Sequence, residues 1–459
     1  MSAKKQITQQ DRGMMLLHED ISRVIPKLAV PTIISMLITS IYNMADTFFV
    51  GRIGTAASGA VGVIFSAMAF IQAIAFTIGM GCSANMSREM GAGHLEEARG
   101  FVSQAFFIAL GMGVVVSAVG LIALDPLVRL LGATETIAPH AKAYATYILY
   151  GAPFMMSSLV LNNLLRFQGL AAYAMVGIGI GGLLNMALDP LLIFGLGMGT
   201  AGAGAATAIS QAVSLAILLT ITNTRSDTMH VRLRDFHPTR STVWRMLYNG
   251  FPSLGRQGIA SVATIILNNV AAQWGDPAIA AMSIVSRYTM FINSAVVGFG
   301  QGFQPVCAYC YGAKAYGRVR KAYIYCVKVS TVILLVLAGA SMLLSGNIVQ
   351  IFRNDPAVIE IGTTALRLQL LTIPLWGFYT MSNMFTQSIG LGGRATVLAA
   401  ARQGIFLIPM LLILPALFGL TGLQLSPPVS DVLSVLLSWV IVRRTLAAMK
   451  EMPGDGQAK

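Results

Sequence analysis

The stretch FIQAIAFTIGMGCSANMSREMGA at residues 70–92 returns as FINSAVVGFGQGFQPVCAYCYGA at residues 291–313. A shift of 221 positions lays Phe70-Ile71 on Phe291-Ile292, Gly79 and Gly81 on Gly300 and Gly302, and Gly91-Ala92 on Gly312-Ala313. Working outward, the same shift holds without a gap for about 140 residues and carries Pro31 to Pro252, Gly54 to Gly275, Pro153 to Pro374, Asn162 to Asn383 and Gly169 to Gly390. A fixed offset over that length implies a duplication. The expected product is two similar bundles with an interface between them.

The bundles are expected to lie in a membrane. Hydrophobic residues make up 55% of the chain and charged residues 11%, against roughly 25% charged in soluble domains; the mean hydropathy is +0.71. Apolar runs near the ~20 residues that cross a bilayer recur throughout. They predict twelve spans, at approximately 26–49, 57–85, 99–123, 137–165, 173–195, 202–223, 246–272, 278–305, 322–345, 358–387, 395–419 and 428–447. The fold class is therefore an all-α polytopic membrane protein, two six-helix bundles related by a pseudo-twofold along the membrane normal. The expected organisation is a cytoplasmic N-terminal segment 1–25, a first bundle 26–223, a linker 224–245, a second bundle 246–447 and a tail 448–459.

The net charge of +13 is placed for topology rather than for nucleic acid. With the N-terminus inside, the inner segments hold most of the basic residues, including Lys4, Lys5, Arg88, Arg99, Arg166, Arg245, Arg320 and Lys459, while the outer loops hold Arg52, Arg129 and Arg353. This asymmetry places both termini in the cytoplasm of a cell (inner) membrane protein. Residues 1–20 are polar and the first apolar run is too long for a signal-peptide core, so no cleaved leader is expected. The four cysteines, Cys82, Cys307, Cys310 and Cys326, read as small packing residues, and GIGIGG at 177–182 lies inside a span with no preceding strand, so it reads as helix packing rather than a phosphate loop. No nucleotide-binding pattern, catalytic triad or metal cluster is found in the spans. The chain is not expected to be an enzyme or to hold a cofactor or resident metal.

Membrane carboxylates carry the chemistry. A charge at the bilayer centre costs at least ~2.5 kcal/mol and persists mainly for function. Asp46 in the first span and Asp189 in the fifth are deep; Asn185 is one turn before Asp189, and Thr207 lies at matching depth in the sixth span. Such oxygens hold a small hard cation or share a proton; alternatively the two acids cap their own helices. In the second bundle Asp46 and Asp189 are replaced by Leu267 and Met410, and the embedded charges are Arg256, Arg287 and Arg402. These arginines either face a cavity and bind an anionic group or hold helix C-terminal carbonyls. Pro31, on the helix of Asp46, either gates that helix by bending or is a static kink.

Two six-helix copies, Pro31, IYNMADTFFVGRIG at 41–54, REMGAGHLEEAR at 88–99 and NMALDPLLIFGLGMGTAGAGAATAIS at 185–210 resemble the multidrug and toxic compound extrusion (MATE) exporters from about residue 20 to 448. The resemblance implies an antiporter driven by H+ or Na+ that expels amphipathic, often cationic, compounds. Its first-lobe cation site would fall on Asp46, Asn185, Asp189 and Thr207, where a sodium ion would bind only transiently. One branch of the family uses acids in the seventh and tenth spans. The seventh here carries Arg256 and the core of the tenth has no acid, which favours first-lobe coupling. Methionines with Tyr42, Phe154, Phe291 and Trp376 are expected to form an adaptable cavity. The expected partners are small amphipathic molecules and membrane lipid, with the chain a monomer and no nucleic acid bound. A flippase for a lipid-linked precursor, with pyrophosphate on the second-lobe arginines, is the alternative.

Overall fold

A computed structural model describes residues 8–226 and 229–451. Lys4, Lys5, Lys459, Asp227 and Thr228 of the linker and most of the C-terminal tail lie outside the described residues. Among the described residues every regular element is helical. A short helix α1 (Gln9–His18), opened by a Thr8–Asp11 capping box, precedes the first lobe. That lobe comprises α2 (Ile21–Gly51), α3 (Thr55–Ala92), α4 (Leu95–Ile122), the short α5 (Leu124–Leu130), α6 (Ala138–Phe167), α7 (Ala171–Pro190) and α8 (Thr200–Arg225). The second lobe comprises α9 (Arg240–Ala271), α10 (Asp276–Gly312), α11 (Tyr316–Leu343), the short α12 (Ser345–Phe352), α13 (Pro356–Thr372), α14 (Leu375–Ser388), α15 (Gly392–Ala400) and α16 (Ile408–Lys450).

These helices make twelve crossings. Eight helical segments are long and apolar enough to span a membrane alone. The α13–α14 pair, bent by 56°, forms one further span. α16 is two helices joined at Gly419, so the 392–450 segment crosses twice. α9 and α10 are 32 and 37 residues long and carry the arginines and amides that lower their hydropathy. With six crossings per lobe, the first and last described helices, α1 and the end of α16, lie at one face of the molecule, called below the terminal face.

The repeat seen in the sequence is also a repeat of contacts. Asn162 donates to the Ala174 carbonyl at 3.0 Å, and its copy Asn383 donates to the Ala395 carbonyl at 2.8 Å. Each lobe also opens its last helix from a glycine in the same positive-φ conformation, Gly199 (φ 59°) and Gly419 (φ 60°), which side chains with a Cβ rarely adopt. The lobes differ where Pro374 breaks the tenth span, whereas its copy Pro153 lies within unbroken α6.

The lobes meet through α2, α3, α9 and α10, with α3 on α9, α2 on α10 and α3 on α10. Close approach requires glycine. A Cβ on Gly81 would run into the Met246 carbonyl and one on Gly250 into that of Thr77, while in the other copy one on Gly302 would meet Ala29. At the terminal face Gly91 lies on the Tyr309 carbonyl and Gly312 on that of Arg88. Polar links join the same seam: Asn249 donates to Asn85 at 3.1 Å, Asn85 donates to the Arg245 carbonyl at 3.1 Å, and Arg245 pairs with Glu89. The seam seals the terminal face. Beyond it the lobes part, and lining residues such as Ser261, Ser286 and Met290, roughly 16–24 Å further along their helices, are exposed. The cavity between the lobes is thus closed at the terminal face and open towards the opposite one.

Candidate functional site

The inter-lobe cavity has a volume of about 710 Å³ and is lined by both lobes, a size suited to a drug-sized ligand. Of the aromatics expected to line it, Tyr42 and Trp376 do. Phe154 and Phe291 do not: they are 39% and 59% exposed and lie outside the lining. Each projects from the outer side of its helix, where an apolar ring is at ease in lipid. Arg256 and Arg402 line the cavity, whereas Arg287 is exposed and does not.

Behind the first-lobe wall, the fold brings the four oxygen-bearing residues to one place. α7 carries Asn185 and Asp189 one turn apart, and its glycine face lets the neighbouring helices in. A Cβ on Gly182 would press on Ile38 and Tyr42 of α2, and one on Gly177 on Leu218 of α8. GIGIGG is thus a packing surface. Asn185 Nδ2 donates to Thr207 Oγ1 at 3.3 Å, and Thr207 donates to the Ala203 carbonyl at 3.1 Å. Tyr144 Oη of α6 donates to Asp46 Oδ2 at 3.0 Å, and Asp46 and Asp189 lie within electrostatic reach of each other. Neither carboxylate caps its own helix. Asp46 Oδ1, Asn185 Oδ1 and both oxygens of Asp189 are buried without a hydrogen-bond partner. Buried polar atoms are nearly always paired, so these four orphan acceptors mark a candidate site for a group that donates to or coordinates oxygen. Tyr144 gives no sequence signal, being a tyrosine in an apolar span. Pro31 lies in α2, which continues as helix through it, with Ser35 Oγ bonding the Pro31 carbonyl at 2.9 Å.

The second lobe holds a carboxylate absent from the expected set of embedded charges. Asp431 of α16 is 2% exposed. Its Oδ1 accepts from Arg402 Nε at 2.6 Å, and its Oδ2 accepts from Gln369 at 2.5 Å, Thr372 at 2.8 Å and Trp376 Nε1 at 2.8 Å. The Arg402 guanidinium also lies 3.9 Å from the Trp376 ring centroid. Arg402 belongs to a π-helical turn, Ala401–Leu407, a local unwinding common at functional sites. The break at Pro374 turns Thr372 and Trp376 towards Asp431. The sequence carried one signal: Ser426, Ser430, Ser434 and Ser438 recur every fourth residue and are all buried, which marks the face bearing Asp431 as interior.

Arg166 departs from its expected place among the inner-surface charges. It is 3% exposed, lines the cavity and bonds the side-chain oxygens of Asn163 and Gln301. α6 ends against the lobe seam rather than at a free surface, so its last turn is roofed by α10.

Two duplicated lobes, a sealed face, a central cavity and a buried polar site define a membrane transporter. A family model described as MatE matches residues 31–191 and 252–413, and the chain belongs to that family. It is 27% identical over 417 residues to the multidrug export protein MepA of Staphylococcus saprophyticus, covering 90% of this chain and 92% of that one. Among solved structures it superposes with a TM-score of 0.90 and 28% identity on one described as the outward-facing conformation of a multidrug resistance MATE family transporter of the MOP superfamily, covering 96% of this chain and 99% of that one. The same values hold for a MOP superfamily transporter from Pyrococcus furiosus whose description speaks of a reverse polarity of the binding pocket. The chain is a multi-pass MATE-family efflux transporter.

Proposed function

We propose that this transporter is a cation-coupled antiporter, driven by H+ or Na+, that exports amphipathic compounds by alternating access from a cell (inner) membrane. The observation that carries the reading is the set of orphan oxygens on Asp46, Asn185 and Asp189 beside Thr207 and Tyr144. Tyr42, Asn185 and Thr207 also line the drug-sized cavity, so the cation site and the substrate path share a wall. A cation bound there favours one lobe arrangement and substrate the other, which couples the two. Both termini lie in the cytoplasm, on the charge asymmetry, so the cavity as seen opens outward. One chain supplies both lobes of the path and works as a monomer. Transport in proteoliposomes with sodium and proton gradients imposed independently tests the proposal. Export that follows one gradient and is lost in both Asp46→Asn and Asp189→Asn is the expected result. Export indifferent to both gradients would overturn it.

A further inference from the structure

The cavity wall is electrically one-sided. Among the described residues no aspartate or glutamate lines it, whereas Arg166, Arg256 and Arg402 do. Asp46 and Asp189 sit behind Tyr42, Asn185 and Thr207, outside the lining. Among the described residues the one carboxylate bonded to any of the three arginines is Asp431, which neutralises Arg402. Among the described residues the other two have neutral partners: Asn383 Oδ1 for Arg256 at 3.4 Å, and Asn163, Gln301 and the Met80 sulfur for Arg166, whose buried Nε has no partner.

A role in holding helix ends does not fit, because no hydrogen bond from these guanidinium groups to a main-chain carbonyl is found among the described residues. Nor does the scaffold require them. Under the duplication Arg166, Arg256 and Arg402 correspond to Gln387, Ser35 and Gly181, so the same positions in the other lobe do without charge. Arg166 is buried and Arg256 half-buried, and two such guanidinium groups without a counter-ion carry a desolvation cost that a carboxylate or phosphate offsets by charge-assisted, bidentate hydrogen bonds. The rest of the wall supplies apolar contact through Met36, Phe65, Leu267 and Met290.

We infer that the compounds this transporter carries are amphipathic anions, with the acidic head on Arg256 and Arg166 and the apolar body against the lobes. This rests on the export reading and departs from the often cationic substrates that the family resemblance implies. A lipid phosphate and a soluble organic acid offer the same head.

Equilibrium binding to the purified, detergent-solubilised protein tests it without any gradient. The probes are dansyl-glycine, its methyl ester and ethidium, read by fluorescence anisotropy. The native protein should bind the acid about tenfold or more tightly than the ester, the scale of one charge-assisted hydrogen bond. Arg256→Gln should remove most of that difference and leave the ester unchanged, while Arg256→Lys should keep part of it. Arg166→Gln should act in the same direction, and Arg256→Gln decides if Arg166→Gln fails to fold. Displacement of dansyl-glycine by a polyprenyl phosphate at lower concentration than by benzoate assigns the head to a lipid, and the reverse assigns it to a soluble acid. Ester or ethidium bound as tightly as the acid, or an Arg256→Gln variant that weakens all three probes equally, would overturn the inference. Because the assay contains no gradient, failure of cation coupling in liposomes would leave its result standing.

Discussion

Replacing Gly250 by alanine puts a methyl carbon where the Thr77 carbonyl of the other lobe already lies, well inside the 3.0 Å that real Cβ atoms do not cross. The obstacle is backbone, so no rotamer change relieves it. α3 and α9 must separate by roughly 1 Å or carry an overpacking strain of about 1–3 kcal/mol. That strain exists only while the terminal face is sealed. Two arrangements of a transporter differ by a few kcal/mol, so 1–3 kcal/mol shifts their ratio about 5–150-fold towards the arrangement open at the terminal face. Gly81→Ala should do the same, since its methyl would meet the Met246 carbonyl. Gly255→Ala is the control: nothing lies within 4 Å of its Cβ, and it carries the same gain in helix propensity. Nitroxides at Glu96 and Arg320, exposed terminal-face positions in opposite lobes, report the opening by electron–electron distance measurement. A longer-distance population should appear in Gly250→Ala and Gly81→Ala but not in Gly255→Ala. Identical distributions in all three would refute the claim that these glycines set the seal.

Three further outcomes are expected. Asp46→Asn and Asp189→Asn should each abolish gradient-driven dye efflux while membrane levels stay normal on immunoblots; full efflux in both would remove the first-lobe site from the mechanism. A cysteine introduced at Gly197 should react with an impermeant maleimide added outside whole cells, and one at Arg234 should not; the opposite pattern inverts the topology. Asp431→Asn leaves the half-buried Arg402 without its counter-ion and should destabilise the protein by about 3 kcal/mol, the low end for breaking a buried pair, seen as a lower melting temperature in detergent, with Asp431→Leu/Arg402→Met recovering much of the loss. An unchanged melting temperature in the single variant would show that the pair contributes nothing.

The parts of this molecule that were legible in sequence are those that repeat. The 221-residue shift aligns Gly81 with Gly302 and Asn162 with Asn383, and each of these residues makes the same kind of contact in both lobes. Repetition also exposed Asp46 and Asp189 as departures from the common scaffold. Positions that depend on how one lobe turns against the other were harder to read. Phe154 and Phe291 look like cavity aromatics, but helix rotation points both away from it. Arg166 reads as a surface charge because it ends a span, and only the seam with α10 buries it. Asp431 lies close to the start of the apolar run 428–447 and looks marginal there. Its depth comes from the break at Pro374, which brings Thr372 and Trp376 onto it, and no local pattern encodes that bend.

On the proposed reading, two tasks that would conflict in one place are kept apart by Tyr42 and its neighbours in the cavity wall. A site for a cation requires bare oxygens, and a site for an acidic head requires bare guanidinium groups. Set side by side they would pair with each other, as Arg402 and Asp431 do. Here the first lobe keeps Asp46 and Asp189, with their three unpaired oxygens, behind Tyr42, while Arg166 and Arg256, bonded to neutral groups, face the cavity. Asn185 and Thr207 belong to both regions and have no charge of their own. On the proposed mechanism they carry the coupling. An amide and a hydroxyl that turn to complete a bound cation present different faces to the cavity from those they present without it, so cation binding alters the substrate wall without a direct ion pair between the two sites. Asn185→Leu should consequently remove the effect of sodium or pH on dansyl-glycine binding, read by anisotropy as the ratio of affinities with and without the ion, whatever the affinity in its absence. If the variant retains the native response to both ions, the coupling does not pass through this wall.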